Sequence, residues 1–146
     1  MVTEVGKKVQ NFYNDVPFPD YDINRFNSKE DLKLVMWDFA SVLDRSIPKD
    51  ASIIDVGTGT GQLSAFLSLR RKNVVGIDFS DTSLNKAKLL KKKLQLNSWK
   101  LEKVDILDEA QIKKIIDKYG EFDYVLCLGV LHHTGNAYHG FKNILK

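Results

Sequence analysis

A chain of 146 residues can bury one compact core but not two, and its 43% hydrophobic and 28% charged residues exclude a disordered polymer. The net charge of +3 is too small to signal a nucleic-acid partner. The single cysteine, Cys127, excludes an internal disulfide and fits a reducing, cytoplasmic setting, while Met1 to Lys8 carry no apolar signal core and the longest apolar stretch, around Val125 to Leu131, is too short to span a bilayer.

In chain order, residues 1–50 read as an N-terminal helical cap or lid region and residues 51–146 as a binding region, within one domain. Asn11 to Asp22 is dense in aromatics and prolines. Prolines hold such a segment extended and its aromatics need something to cover, so it is read either as a lid or as a strap over the core, with Tyr13, Phe18 and Tyr21 as its contacts. Ser28 with Asp31 three residues on forms a capping box. Leu32, Val35, Met36, Phe39, Ala40 and Leu43 then recur at helical spacing, predicting one continuous helix that braces the sheet. Beyond Pro48 strands and helices alternate. Strands are expected at 52–56, 73–77, 99–104 and 124–128, and helices at 62–71, 81–95, from Asp108 to a C-cap at Gly120, and again from Asn136. Alternation of this kind means an α/β fold with a parallel sheet and right-handed crossovers.

The chemistry is concentrated at the strand ends. Ile53 to Val56 is an apolar strand that carries Asp55 and runs into Gly57-Thr58-Gly59-Thr60-Gly61-Gln62. Glycines between a strand and a helix let the backbone approach a nucleotide-like ligand, because a Cβ would block the approach or forbid the backbone angles. The dinucleotide pattern needs glycine at position 62, where the chain has Gln62. Asp78 follows Gly57 by about twenty positions, where a carboxylate can accept hydrogen bonds from both ribose hydroxyls. Asp105 closes the next strand and can meet an adenine amino group, with Ile106 and Phe79 on the two faces of the ring. Asp55 either orients the glycine loop or meets an ammonium group. His132 and His133 follow the fourth strand, either as a general base or as pocket floor. His139 joins them as a possible metal triad, but no carboxylate or thiol stands at ligand spacing, so no metal is expected. The lysines of the 81–95 helix are read as its solvated face, and Cys127 as an inert core thiol.

The D-x-G-x-G-x-G string at Asp55 to Gly61 resembles motif I of the class I S-adenosylmethionine (SAM)-dependent methyltransferases. Gly76 to Ser80, Asp105 to Leu107 and Phe122 to His133 are similar to the family's acidic-loop, adenine-contact and strand-four segments. The resemblance implies a Rossmann-like sheet with flanking helices. It implies SAM held by Asp55, Gly57, Thr58, Gly59, Gly61, Gln62, Asp78, Phe79, Asp105, Ile106, Leu128 and Gly129, and methyl transfer to a small-molecule acceptor. The Asn/Asp-Pro-Pro-aromatic signature of nucleic-acid amino methylases is absent, and Leu128-Gly129-Val130-Leu131 stands in its place.

The family sheet continues beyond its fourth strand, whereas this chain stops at Lys146. The C-terminal strands of the family fold are therefore expected to be missing. The fourth strand becomes an apolar edge, open to self-association or to a partner chain. Two rivals stand beside the methyltransferase: a non-catalytic SAM-binding module acting with a partner, and a nicotinamide-dependent oxidoreductase, against which Gln62 argues.

Overall fold

The computed structural model describes residues 4–146; the first three residues of the N-terminal region lie outside the described residues. Four strands, β1 (Ile53–Val56), β2 (Val74–Asp78), β3 (Trp99–Lys103) and β4 (Tyr124–Cys127), form one parallel sheet in the order β3-β2-β1-β4. The register pairs Ile53 with Val74 on one side and with Tyr124 on the other. Helices α4 (Gln62–Ser68), α5 (Asp81–Lys93), α6 (Glu109–Tyr119) and α7 (Ala137–Ile144) alternate with the strands. None of the helices among the described residues is long and apolar enough to cross a membrane.

Alternation along each strand divides the core. Ile53, Val74 and Trp99 face α4, α5 and the N-terminal region, packed with Leu67, Ala87 and Leu90. Ile54, Val56, Val75 and Ile77 face the other way, against Ile112 and Ile115 of α6. Each such side chain, fully buried, contributes about 1.5–3 kcal/mol. The caps follow the sequence: Ser80 accepts from the Ser83 N–H at α5, Asp108 from the Ala110 and Gln111 N–H groups at α6, and Asn136 from the His139 N–H at α7. Gln111, three residues after the Asp108 cap, does not close a capping box. Its Oε1 accepts from the Asp105 N–H and its amide donates to Asp108, so it braces the turn after β3 instead.

Three expectations for the N-terminal half and helix α4 are corrected. First, Asn11 to Asp15 are helical, as the end of α1 (Glu4–Asp15); residues 16–22 are irregular, with bends at Val16, Phe18 and Pro19. Val9, Tyr13 and Val16 share a helical face, a period that the density of aromatics and prolines obscures. Second, the single brace helix is two: α2 (Lys29–Leu34) and α3 (Asp38–Ser46). The capping box of Ser28 and Asp31 is present. Val35 and Trp37 are weaker helix formers, and Trp37 is extended at the start of α3. The break buries Leu32 and Ala40 separately and leaves Val35, Trp37 and Phe39 exposed. Third, α4 ends at Ser68 and not at Arg71, because Arg71 is withdrawn into the core.

Arg71 is 2% exposed. Its guanidinium donates to Asp44 Oδ1 at 2.6 Å and to the carbonyls of Asp44, Ile47 and Pro48 at 2.7, 2.6 and 3.0 Å. Arg70 takes the second Asp44 oxygen at 2.6 Å. This clamp joins the end of α3 to the end of α4. Burial opposes ionisation of Asp44, but the hydrogen bonds and charges of Arg71 and Arg70 outweigh it and hold the carboxyl below its usual range.

β4 is an edge strand. Tyr124 and Val125 are exposed, and Cys127 is half-buried rather than a core thiol. The expected apolar edge is present among the described residues. Ser52 and Asp123 exchange three hydrogen bonds of 2.8–3.0 Å that lock the start of β1 to the start of β4.

Candidate functional site

A cleft of about 1120 Å³ opens beyond the C-terminal ends of the strands, where ligands bind in open α/β sheets. Gly57, Gly59, Asp78, Phe79, Asp105, Ile106, Leu128, Gly129, His132 and His133 all line it. Asp55, Thr58, Gly61 and Gln62 do not, although the sequence places them in the same group.

Asp55 is the third residue of β1, with Val56 after it, so it is not a strand end. It shares the face of Ile53 and is buried beneath α4, where its carboxylate accepts from Thr58 Oγ1 at 2.7 Å. Thr58 Oγ1 also lies 2.5 Å from Ser64 Oγ. Of the two roles open to Asp55, the geometry is that of orienting the glycine loop. Burial, against the hydrogen bonds of Thr58 and Ser64, pushes its carboxyl up to about 6.

This shift carries a stability prediction. Between the ordinary 3.8 and about 6 the folded chain holds a proton that the unfolded chain has released, so this group lowers stability as pH rises through that window. The cost at neutral pH is roughly 3 kcal/mol. Asp55→Asn keeps an oxygen for Thr58 and cannot ionise. Its stability, followed by urea denaturation from pH 4 to 7, is expected to fall less steeply with rising pH than that of the parent; parallel slopes would refute the buried-charge account.

Asp78 ends β2 and is 8% exposed. One carboxylate oxygen accepts from the Gly59 N–H at 2.8 Å and the other from the Ser80 N–H at 2.9 Å. Burial raises its pKa against these bonds. Asp105 lies in the turn two residues past β3, not at the strand's last position, and accepts from the Leu107 N–H at 2.9 Å.

All three loop glycines have positive φ: +70° at Gly57, +55° at Gly59 and +85° at Gly61. The protein itself presses on each. A Cβ at Gly57 would strike the Val130 side chain, at Gly59 the Phe18 carbonyl and at Gly61 the Trp99 ring. Gly61 therefore serves the packing of β3 under the loop, not the approach of a ligand.

The N-terminal region roofs the cleft with Val9, Phe12, Tyr13, Val16 and Phe18. It is tied to both loops below it. Gln10 donates to the Phe79 carbonyl at 2.9 Å and the Ser80 hydroxyl donates to Asn14 at 2.8 Å. Thr60 donates to the Pro19 carbonyl at 2.6 Å, and Tyr21 to the Thr60 carbonyl at 2.9 Å. Tyr13 and Phe18 line the cleft, whereas Tyr21 is buried in the core. Two lysines of the α5 stripe are not merely solvated: Lys86 pairs with Asp20 and Lys93 donates to the Ile23 carbonyl at 3.0 Å.

Residues not singled out from the sequence as site residues also line the cleft, among them Thr134, Gly135 and Asn136, ahead of α7, and Val9 on α1. Helical periodicity at Val9 was the available signal; the stretch before α7 carried none. Tyr13 and His133 meet edge to face at 5.9 Å, and the rings of His132 and His133 lie 3.9 Å apart. His139 also lines the cleft, and among the described residues no group of three or more His, Cys, Asp or Glu side chains is arranged to hold a metal ion.

A parallel sheet of this order, with a glycine loop after β1 and a carboxylate ending β2, is Rossmann-like, an arrangement shared by class I SAM-dependent methyltransferases and dinucleotide-binding proteins. Residues 54–146 match the family model of the methyltransferase domain, and the chain belongs to that family. Among curated proteins it is similar to ubiquinone biosynthesis O-methyltransferases. That of Dechloromonas aromatica is 35% identical over 86 residues, covering 58% of this chain and 34% of the relative. That of Colwellia psychrerythraea is 37% identical over 87 residues, covering 58% and 32%. The chain thus spans about a third of the length of these relatives. Among solved structures, a SAM-dependent methyltransferase from Anabaena variabilis shares the fold at a TM-score of 0.61 and 17% identity, over 97% of this chain and 56% of that one. The N-terminal domain of EvdMO1, solved with SAH bound, does so at 0.62 and 20%, over 94% and 60%.

Proposed function

We propose that the cleft binds SAM and that the protein transfers its methyl group to a small-molecule acceptor. The observation that carries this reading is the convergence of Gly57, Gly59, Asp78, Phe79, Asp105 and Ile106 on one cleft. The residues fit the cofactor. The cleft has room for a nucleoside with an amino-acid tail. Asp78 offers remaining lone pairs to ribose hydroxyls, and Phe79 and Ile106 offer apolar faces to adenine. Asp55, Thr58, Gly61 and Gln62 act behind them, by shaping the loop. The bound cofactor supplies a methyl group already activated by the sulfonium, so the protein's contribution is alignment and the exclusion of water. Leu128 and Gly129 form the wall beside it. Both imidazoles, His132 and His133, line the cleft, which supports their reading as the group that receives an acceptor's proton. The O-methyltransferase names of the relatives favour a hydroxyl acceptor.

Residues 1–50 we read as the cap of this site. A cytoplasmic location goes with the single thiol, and pairing with a second chain goes with the open edge of β4.

Calorimetric titration with S-adenosylhomocysteine, with NADH as control, tests the reading. Micromolar binding of the former alone is expected; preference for NADH would replace the methyltransferase by an oxidoreductase. Asp78→Ala is expected to weaken binding of S-adenosylhomocysteine more than about tenfold, since a charged acceptor of several hydrogen bonds is lost. Parent-like affinity in that variant would remove Asp78 from the site.

A further inference from the structure

The backbone of residues 57–61 is held from two sides. On one side is β2: the N–H groups of Gly57 and Thr58 donate to the Ile77 carbonyl, and that of Gly59 to the Asp78 carboxylate. The Gly61 N–H turns back to the Thr58 carbonyl. On the other side are residues 18–21, which hold Thr60. Its N–H donates to the Phe18 carbonyl at 3.3 Å and its hydroxyl to the Pro19 carbonyl at 2.6 Å. Its carbonyl accepts from the Tyr21 phenol at 2.9 Å. Thr60 is fully buried, and all three of its polar groups are bonded to this one segment. The Phe18 carbonyl also fills the space that a Cβ at Gly59 would need.

The segment that holds Thr60 is itself fixed. Tyr21 meets Phe26 edge to face at 5.1 Å, and both are buried. Lys86 of α5 lies 4.6 Å over the Tyr21 ring and pairs with Asp20. A buried polar group that loses its partner costs more than the bond contributes, so the Thr60 peptide is tied to this one setting. Gly59, its neighbour, lines the cleft, whereas Thr60 and Tyr21 do not. The hold therefore acts from behind, on backbone that faces the ligand. A loop already kept in its bound shape loses less conformational freedom on binding.

We infer that residues 18–21 act as the second half of the cofactor loop, with Thr60 and Tyr21 as positioning residues for the cofactor. This rests on the SAM reading of the cleft and deepens it. Neither side chain touches the ligand; both keep the backbone at Gly59 in the shape that meets it. The affinity for the cofactor is thereby set in part by a segment that precedes β1 and lies outside the strand–turn–helix unit that carries the glycines.

The test is calorimetric titration of the whole chain with S-adenosylhomocysteine, well below the melting temperature of every variant, with each unliganded melting temperature measured alongside. Thr60→Val keeps the shape of the side chain and removes its hydroxyl, whereas Thr60→Ser keeps the hydroxyl. Tyr21→Phe removes the phenol oxygen alone. Ser52→Ala is the control: it loses hydrogen bonds to Asp123 at the start of β1, the end of the strand remote from the loop. Thr60→Val and Tyr21→Phe are each expected to weaken binding about fivefold. Thr60→Ser should stay within about twofold of the parent, and Ser52→Ala should bind like the parent although it too loses stability. Parent-like affinity in both Thr60→Val and Tyr21→Phe, with melting temperatures lowered, would overturn the proposal and leave the cofactor reading standing. An equal loss of affinity in Ser52→Ala would also overturn it, because the effect would then follow stability and not the loop. Failure of the parent to bind S-adenosylhomocysteine would sink both together.

Discussion

Gly57→Val is expected to reduce binding of S-adenosylhomocysteine below calorimetric detection. Two costs combine. The backbone at Gly57 has a φ of +70°, which an L-residue adopts at about 1–2 kcal/mol and a β-branched one at more. The new side chain would also occupy the space of Val130, whose turn leads into His132 and His133. The N–H groups of Gly57 and Thr58 both donate to the Ile77 carbonyl, at 2.8 and 2.9 Å, so a displaced loop also loses its anchor on β2. Loss of stability should accompany loss of binding, because Val130 packs on the Ile54 and Val56 side of the core. A double variant separates the two costs. Gly57→Ala with Val130→Ala removes the collision and keeps the backbone strain, and should recover part of the affinity lost by Gly57→Ala alone. Unchanged affinity in Gly57→Val would undo the glycine-loop argument.

Asp44→Ala is expected to lower stability by about 3–5 kcal/mol, the cost of leaving a buried charge without its partner. The side chain of Arg71 is wholly buried, and its carbonyl acceptors cannot neutralise it. For a domain of this size the melting temperature should fall by roughly 10 °C or more. Arg70→Ala is the comparison: that side chain is 41% exposed, and its loss should cost no more than about 1 kcal/mol. Because the carboxyl of Asp44 is held below its usual range, its contribution is present above the unfolded pKa and is lost only as pH falls through the depressed folded value. Thermal unfolding of the two variants at neutral pH decides the matter. A cost below 1 kcal/mol for Asp44→Ala would mean that the pair does not clamp α3 to α4.

The loss of binding in Gly57→Val is legible in the sequence, but the collision with Val130 and the clamp of Arg71 on Asp44 are not, although much of the architecture is. β1, β2 and β4 are short runs rich in apolar residues, β3 alternates apolar and charged residues, and α5, α6 and α7 have side-chain caps, so the alternation and the parallel sheet are local properties of the chain. The glycine loop and Asp78 were legible because their spacing is set by a single strand–turn–helix unit. The brace helix was misread where periodicity continued across Val35 to Trp37 without helical propensity to support it. Asp55 was left with two readings, orienting the loop or meeting an ammonium group, because position in a strand does not tell which face a side chain takes until the register is known.

Sequence by itself determined the order of strands and helices beyond Pro48, the class of fold and Asp78 at the end of β2, because these depend on patterns within one element and its immediate turn. Tertiary structure decided which of them reach the cleft. It turned Asp55 and Thr58 beneath α4, set Gly61 against Trp99, and withdrew Arg71 from a helix end into a clamp with Asp44. It also brought α1 over the loops, through hydrogen bonds from Gln10 to Phe79 and from Ser80 to Asn14 that span more than sixty residues of chain. Such contacts form between elements that lie far apart in sequence, and they depend on burial and register, which no local pattern of residues encodes.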